Sequence, residues 1–182
     1  MLYQIIAFLL DVVTGLLGAA CLLRMFMQAQ RIPFGNPMGR LIFALTDWLV
    51  LPLRRILPAM GRWDTASLVG AYLLQLAQFG LLWLIAGRGA GAELVPVQAF
   101  LGLLRLILST MTVLLIVYAV MSWTRADSPV SDVIERLCAP LLRPFRRVLP
   151  LVGGFDLSPL ALLVLLQVGA IVVSSVGSSL FR

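Results

Sequence analysis

The sequence predicts an all-α membrane protein: four transmembrane helices in two parallel repeats, each repeat with a cytoplasmic amphipathic interfacial helix between its spans. Three observations predict it. Hydrophobic residues make up 61% of the 182 positions and charged residues only 12%, about half the charged share of a soluble domain. Four segments reach the ~20 apolar residues that a helix needs to cross a bilayer. And the chain repeats itself: LVLPLRRILPAMGRWD from Leu49 returns as LLRPFRRVLPLVGGFD from Leu141, at a constant offset of 92 residues. From Leu49/Leu141 to Gln75/Gln167, 12 of 27 aligned pairs are identical. A duplication of this length sets the architecture before any single residue is considered.

The first span runs over 2–23 and carries Asp11. No basic residue precedes it, so it reads as a retained span rather than a signal peptide. An interfacial helix comes next, over 39–57. Leu41, Leu45, Trp48, Leu49, Leu53 and Ile56 share one face at helical spacing, and Arg40, Asp47, Arg54 and Arg55 share the other. Such a segment is too short and too charged to span. Pro37 suits its first turn, Pro52 should kink or break it, and Pro58 should end it. The second span covers 65–86. The second repeat, 93–182 against 1–92 for the first, has spans over 97–123, with Arg105 inside, and over 158–180. Its interfacial helix, 131–149, sets Val133, Ile134, Leu137, Leu141, Leu142, Phe145 and Leu149 against Asp132, Glu135, Arg136, Arg143, Arg146 and Arg147. Pro129, Pro144 and Pro150 stand where Pro37, Pro52 and Pro58 do.

The 14 basic residues are all Arg, against 8 acidic ones. Residues 24–64 hold six of them, counting Arg24, and residues 124–157 hold five, whereas 87–96 holds only Arg88. By the positive-inside rule the two long loops are cytoplasmic and both termini outside. The repeats are then parallel, related by a pseudo-two-fold axis along the membrane normal.

Composition also excludes. The chain has no His and only two Cys, Cys21 and Cys138, each read as a buried small hydrophobe. Metal, cofactor and redox motifs have no support. There is no Ser or Cys beside a base, no carboxylate pair in a span and no Gly-rich phosphate loop, so no enzyme is expected. The basic excess is loop arginine without a folded basic domain, so nucleic acid is not an expected partner.

The candidate site is the doubled P-x-R-R-x-L-P element with the G-x-x-D beyond it: Pro52, Arg54, Arg55, Pro58, Gly61 and Asp64 in one copy, and Pro144, Arg146, Arg147, Pro150, Gly153 and Asp156 in the other. Adjacent guanidinium groups on an interfacial helix suit lipid phosphates or a partner protein. Asp64 and Asp156 precede spans, where a carboxylate caps the helix and complements its dipole. Pairing with the Arg of the motif is the alternative, and it is compatible with capping because a carboxylate accepts several hydrogen bonds. Inside the spans, Asp11 and Arg105 fall at similar depth. Each costs at least about 2.5–3.5 kcal/mol unpartnered, so they either pair across the repeats or face water in a cavity. Gln75 and Gln167 occupy equivalent mid-span positions, suited to a hydrogen bond across the axis.

The doubled P-x-R-R-x-L-P, the G-x-x-D after it, Asp156-Leu157-Ser158-Pro159 before the last span and the Tyr118…Ser122-Trp123 stretch resemble the YggT (YlmG) family of small bacterial membrane proteins. The resemblance covers nearly the whole chain. The second copy fits better, since the first has Gln30-Arg31 in place of Ser122-Trp123 and Ala66-Ser67 in place of Ser158-Pro159. The resemblance implies a place in the bacterial inner (plasma) membrane and a role in osmotic-stress tolerance and ion homeostasis, with cell-division or envelope proteins as partners. It implies no catalytic residues. Two functional classes are then open. One is a non-enzymatic structural, assembly or envelope-homeostasis factor that presents its Arg-bearing helices to anionic lipid phosphates or partner proteins. The other is a small channel or transporter, acting as a homo-oligomer.

Overall fold

The structure is a computed structural model; it describes residues 1–57, 61–86, 91–124, 128–148 and 156–180. Pro58, Pro150 and Gly153 lie outside the described residues. The chain forms six α-helices among them: α1 (Leu2–Ala29), α2 (Pro37–Ile56), α3 (Thr65–Ile85), α4 (Val95–Thr124), α5 (Pro129–Val148) and α6 (Ser158–Leu180). A short 3₁₀ turn, Ala92–Leu94, leads into α4. The described residues form no strand. Four of the helices are long and apolar enough to cross a membrane, and their outward faces remain apolar. Ile5, Phe8, Leu9 and Leu16 on α1 and Val164, Val168 and Ile171 on α6 are all exposed. A soluble protein would bury such faces; here a hydrocarbon solvent takes them.

Local signals explain the helix starts. Pro37 sits at the first position of α2, and Asn36 before it accepts a hydrogen bond from Gly39 N–H at 2.8 Å. At the same offset, Pro129 opens α5, and Ser128 and Ser131 cap each other, each backbone N–H donating to the other hydroxyl at 3.1 Å. Gly39 is required here, because a Cβ would lie 2.4 Å from the Phe34 carbonyl oxygen. Of the kink or break expected at Pro52 and Pro144, no break occurs. Both prolines, and Pro140, lie inside continuous helices. A helix-interior proline removes one donor, and packing on the neighbouring spans sustains the helix past it.

The first span is longer than expected. α1 continues to Ala29, so it reaches about 42 Å at 1.5 Å per residue. Arg24, expected in the loop after the span, lies in the last turns of α1 and is 2% exposed. The apolar face expected of α2 divides, with Leu49 and Leu53 packed on a core mostly within the first half. Ile42, Thr46 and Val50 are buried, while Leu41, Trp48 and Ile56 point away and are exposed. In α5, Val133, Ile134, Leu137, Cys138 and Leu142 are buried, and Asp132, Glu135, Arg136 and Arg143 are exposed.

The spans pack in the order α1, α3, α4, α6, with α2 lying on α1 and α3 and α5 on α4 and α6. One apolar core joins Met27, Ile32 and Ile42 to Leu115, Ile134, Leu137 and Leu142, so it is shared by the two halves of the chain. A second lies around Leu22, Met25, Val50, Ala71 and Leu74, mostly within the first half.

Candidate functional site

The two halves of the motif arginine pair do different things. Arg54, near the end of α2, turns back to Asp64, which immediately precedes α3. Its Nε donates to Asp64 Oδ1 at 3.3 Å and its Nη2 to Asp64 Oδ2. Arg146, near the end of α5, repeats this with Asp156, Nε donating to Oδ2 at 2.8 Å. Each pair spans ten residues and fastens the shorter helix to the start of the next span. The arginine also reaches the preceding span, by a different side chain in each copy. Arg54 Nη2 donates to Gln28 Oε1 of α1 at 2.8 Å, and Arg146 Nη2 to the Tyr118 hydroxyl of α4 at 2.7 Å. Residue 26, the equivalent of Tyr118, is Phe and has no hydroxyl to offer. Arg55 and Arg147 point outward and are exposed, and neither takes part in an ion pair among the described residues.

The carboxylates cap as well as pair. Asp64 Oδ1 accepts from Ser67 N–H at 3.4 Å and Oδ2 from the Ser67 hydroxyl at 2.7 Å. Asp156 Oδ1 accepts from Ser158 N–H at 2.9 Å. The capping and pairing readings thus hold together, as a carboxylate with four lone-pair sites permits. Burial alone would raise the Asp64 carboxyl, but the bonds from Arg54 and Ser67 outweigh it and hold it below the usual carboxylate range. Asp156 is lowered in the same way: the cost of burial is outweighed by Ser158 and Arg146. Gly61, three residues before Asp64, sits at φ +65°, a backbone conformation that favours glycine and turns the chain from α2 toward α3.

The first clamp has an additional member. Arg24 of α1, fully enclosed, donates from Nη1 to Thr46 Oγ1 and to Asp47 Oδ1, each at 2.7 Å. Its Nε lies 3.8 Å from Asp64 Oδ2, and its guanidinium carbon is 4.6 Å from the centre of the Phe43 ring. Three helices therefore meet at one buried cation. The equivalents of Arg24 and Asp47 in the second half are Ile116 and Ala139, so this part is not duplicated. The sequence signal for it was Met25-Phe26-Met27, which continues the apolar run past Arg24.

The intramembrane polar residues do not meet as expected. Asp11 Oδ1 accepts from Gln78 Nε2 at 3.1 Å, and the Thr14 hydroxyl donates to Gln78 Oε1 at 2.6 Å. Asp11 is thus held by α3 of its own half, and Gln78 is the partner sequence reasoning missed. Arg105 turns instead toward α6, its Nη2 at 2.7 Å from where a Cβ on Gly177 would stand. It lines a cavity of about 710 Å³ with Tyr3, Trp83, Gln98, Ser174 and Ser178. Gln75 and Gln167 do not bond either. Gln75 is buried against Gly102 of α4, where a Cβ would lie 2.4 Å from its Oε1, while Gln167 is exposed on α6. Among the described residues no cluster of three or more His, Cys, Asp or Glu stands ready for a metal.

Fold and site together define a class: a multi-pass α-helical membrane protein whose long–short–long helix unit and Arg–Asp clamp occur twice. Comparison with known proteins gives the particular family. The CCB3/YggT family model matches residues 3–85 and 97–177, and the chain belongs to that family. It is 39% identical over 168 residues to the protein YggT of Escherichia coli K12, covering 90% of this chain and 86% of that one. A Vibrio alginolyticus protein described as lying in the proC 3′ region is 37% identical over 165 residues, covering 88% and 89%. A Pseudomonas aeruginosa protein is 35% identical over 162 residues, covering 86% and 82%. No solved structure gave a significant match.

Proposed function

We propose that the protein is a non-enzymatic structural or assembly factor of the bacterial inner membrane, which presents α2 and α5 at the cytoplasmic surface to lipid phosphates or partner proteins. The observation that carries this reading is the split within each arginine pair. Arg54 and Arg146 are consumed by Asp64 and Asp156, which leaves Arg55 and Arg147 exposed at equivalent points of the two halves. A fixed helix end bearing one outward guanidinium is a pre-organised contact for an anionic group. The excess of Arg in the segments holding α2 and α5 supports the cytoplasmic side for them, with both termini outside.

The test is a crosslinking pull-down from native membranes with the full chain. Arg55→Gln with Arg147→Gln should lose the captured partners, with insertion and unfolding unchanged. Capture equal to that of the parent chain sinks the reading. A second reading, an oligomeric channel or transporter, is favoured by Arg105 in its cavity and by Asp11 within α1. Ion flux in proteoliposomes that disappears with Asp11→Asn would establish it over the first.

A further inference from the structure

A cleft of about 490 Å³ opens between the two halves of the chain, and none of the P-x-R-R residues lines it. Its walls are mostly apolar, with Phe26 of α1, Met111 and Leu114 of α4 and Leu137 and Leu141 of α5, and the amide of Gln30 stands among them. Met111, Leu114 and Leu137 are buried, and Met111 lies near the middle of the thirty-residue α4. The cleft therefore runs from the α5 side down to hydrocarbon depth. Two cations stand at it, Arg62 in the segment before α3 and Arg143 on α5. Both are exposed, and neither takes part in an ion pair among the described residues. Trp63 lies beside Arg62, and an indole is at home at the level of lipid headgroups.

Three kinds of occupant compete for such a cleft. A free phosphate would use the two guanidinium groups but leave the apolar walls empty. An extended peptide would carry backbone N–H and C=O groups to a depth where nothing satisfies them. A helix would satisfy its own, but a cleft of this volume has no room for one. A zwitterionic lipid would fill the walls without needing two cations. The combination of walls and charges fits one ligand class, and we propose that the cleft binds an anionic phospholipid. Its phosphate lies between Arg62 and Arg143, and one acyl chain lies along Met111, Leu114, Leu137 and Leu141. Because Arg62 and Phe26 belong to the first half and Arg143 and Leu137 to the second, the lipid bridges the two halves. The site uses neither Arg55 nor Arg147, so it stands or falls apart from the platform role of α2 and α5.

Native mass spectrometry of the detergent-purified full chain, titrated with phosphatidylglycerol or phosphatidylcholine, tests it. The parent chain should bind one phosphatidylglycerol in preference to phosphatidylcholine. Arg62→Gln with Arg143→Gln should weaken that binding roughly thirtyfold, about 2 kcal/mol for two headgroup arginines. Both side chains are exposed, so unfolding in phosphatidylcholine should be unchanged. Leu141→Trp, which fills the cleft and leaves the charges, should also reduce binding, and Arg55→Gln with Arg147→Gln should not. Equal binding of the two lipids, undiminished binding by the Arg62/Arg143 variant, or displacement of the lipid by inorganic phosphate would overturn the proposal.

Discussion

Arg146 Nε stands 2.8 Å from Asp156 Oδ2, the same ten-residue reach that joins Arg54 to Asp64. The two pairs are alike in connectivity and unlike in surroundings. Asp64 is fully buried and lies within reach of a second, equally buried cation, Arg24. Asp156 and Arg146 are 28% and 41% exposed. Low dielectric makes an unpaired charge costly, so equivalent substitutions should have unequal effects.

Asp64→Ala removes a fully buried carboxylate that serves Arg54, the Ser67 cap and, at 3.8 Å, Arg24, which keeps Asp47. Breaking this buried pair should cost about 3–5 kcal/mol. Asp156→Ala breaks a solvated pair and one capping bond, and should cost about 0.5–2 kcal/mol. Unfolding of the two variants in mild detergent with added dodecyl sulfate ranks them. An Asp156 variant as damaged as the Asp64 variant would contradict the asymmetry.

The same carboxylate predicts an acid response. A group whose folded pKa lies below its unfolded value stabilises the fold above the unfolded pKa, here about 3.9. That stabilisation is lost as pH falls through the folded value. Asp64 is such a group. The stability gap between the parent chain and Asp64→Asn should hold constant from pH 7 to about 5 and shrink below about pH 4. A gap independent of pH would show that the carboxylate charge contributes nothing.

The polar contact inside the membrane connects Asp11 to Gln78, not to Arg105. A double-mutant cycle with Asp11→Ala and Gln78→Ala should give a coupling of about 0.6–1.7 kcal/mol. The cycle of Asp11→Ala with Arg105→Ala should give almost none. Strong coupling to Arg105 would restore the ion pair that matched depth alone suggested.

Two glycines should respond in opposite directions to alanine. Gly39→Ala drives a methyl into the Phe34 backbone and should destabilise by about 1–3 kcal/mol. Gly15 lies mid-helix in α1 with nothing within 4 Å of a Cβ. Gly15→Ala should therefore stabilise, by about 0.5–1 kcal/mol. Melting curves of the two variants decide the matter.

The repeat and the four spans were legible in the sequence because apolar length and a constant 92-residue offset are one-dimensional signals. The Arg–Asp pairing was legible only as one of two options, since spacing alone does not say where a guanidinium turns. Partners in three dimensions were not legible. Matched depth suggested Arg105 for Asp11, but α1 packs against α3, and Gln78 lies on that seam. Repeat symmetry suggested Gln75 with Gln167. α3 packs on α4 instead, which sets Gln75 against Gly102. Arg24 was misread because a basic residue after a 20-residue apolar run usually marks a membrane edge. Thr46, Asp47 and Phe43 of α2 enclose it.

The central claim is that the adjacent arginines of each motif divide the work, the first holding the fold and the second facing outward to bind. The most direct measurement compares Arg54→Gln, Arg55→Gln, Arg146→Gln and Arg147→Gln one at a time, reading unfolding in detergent and partner capture from native membranes on the same preparations. The account predicts that Arg54→Gln and Arg146→Gln lower stability, Arg54→Gln more. It predicts that Arg55→Gln and Arg147→Gln keep parental stability and lose capture. Parental capture by both outward variants, or a loss of stability in them equal to that of Arg54→Gln, would contradict it.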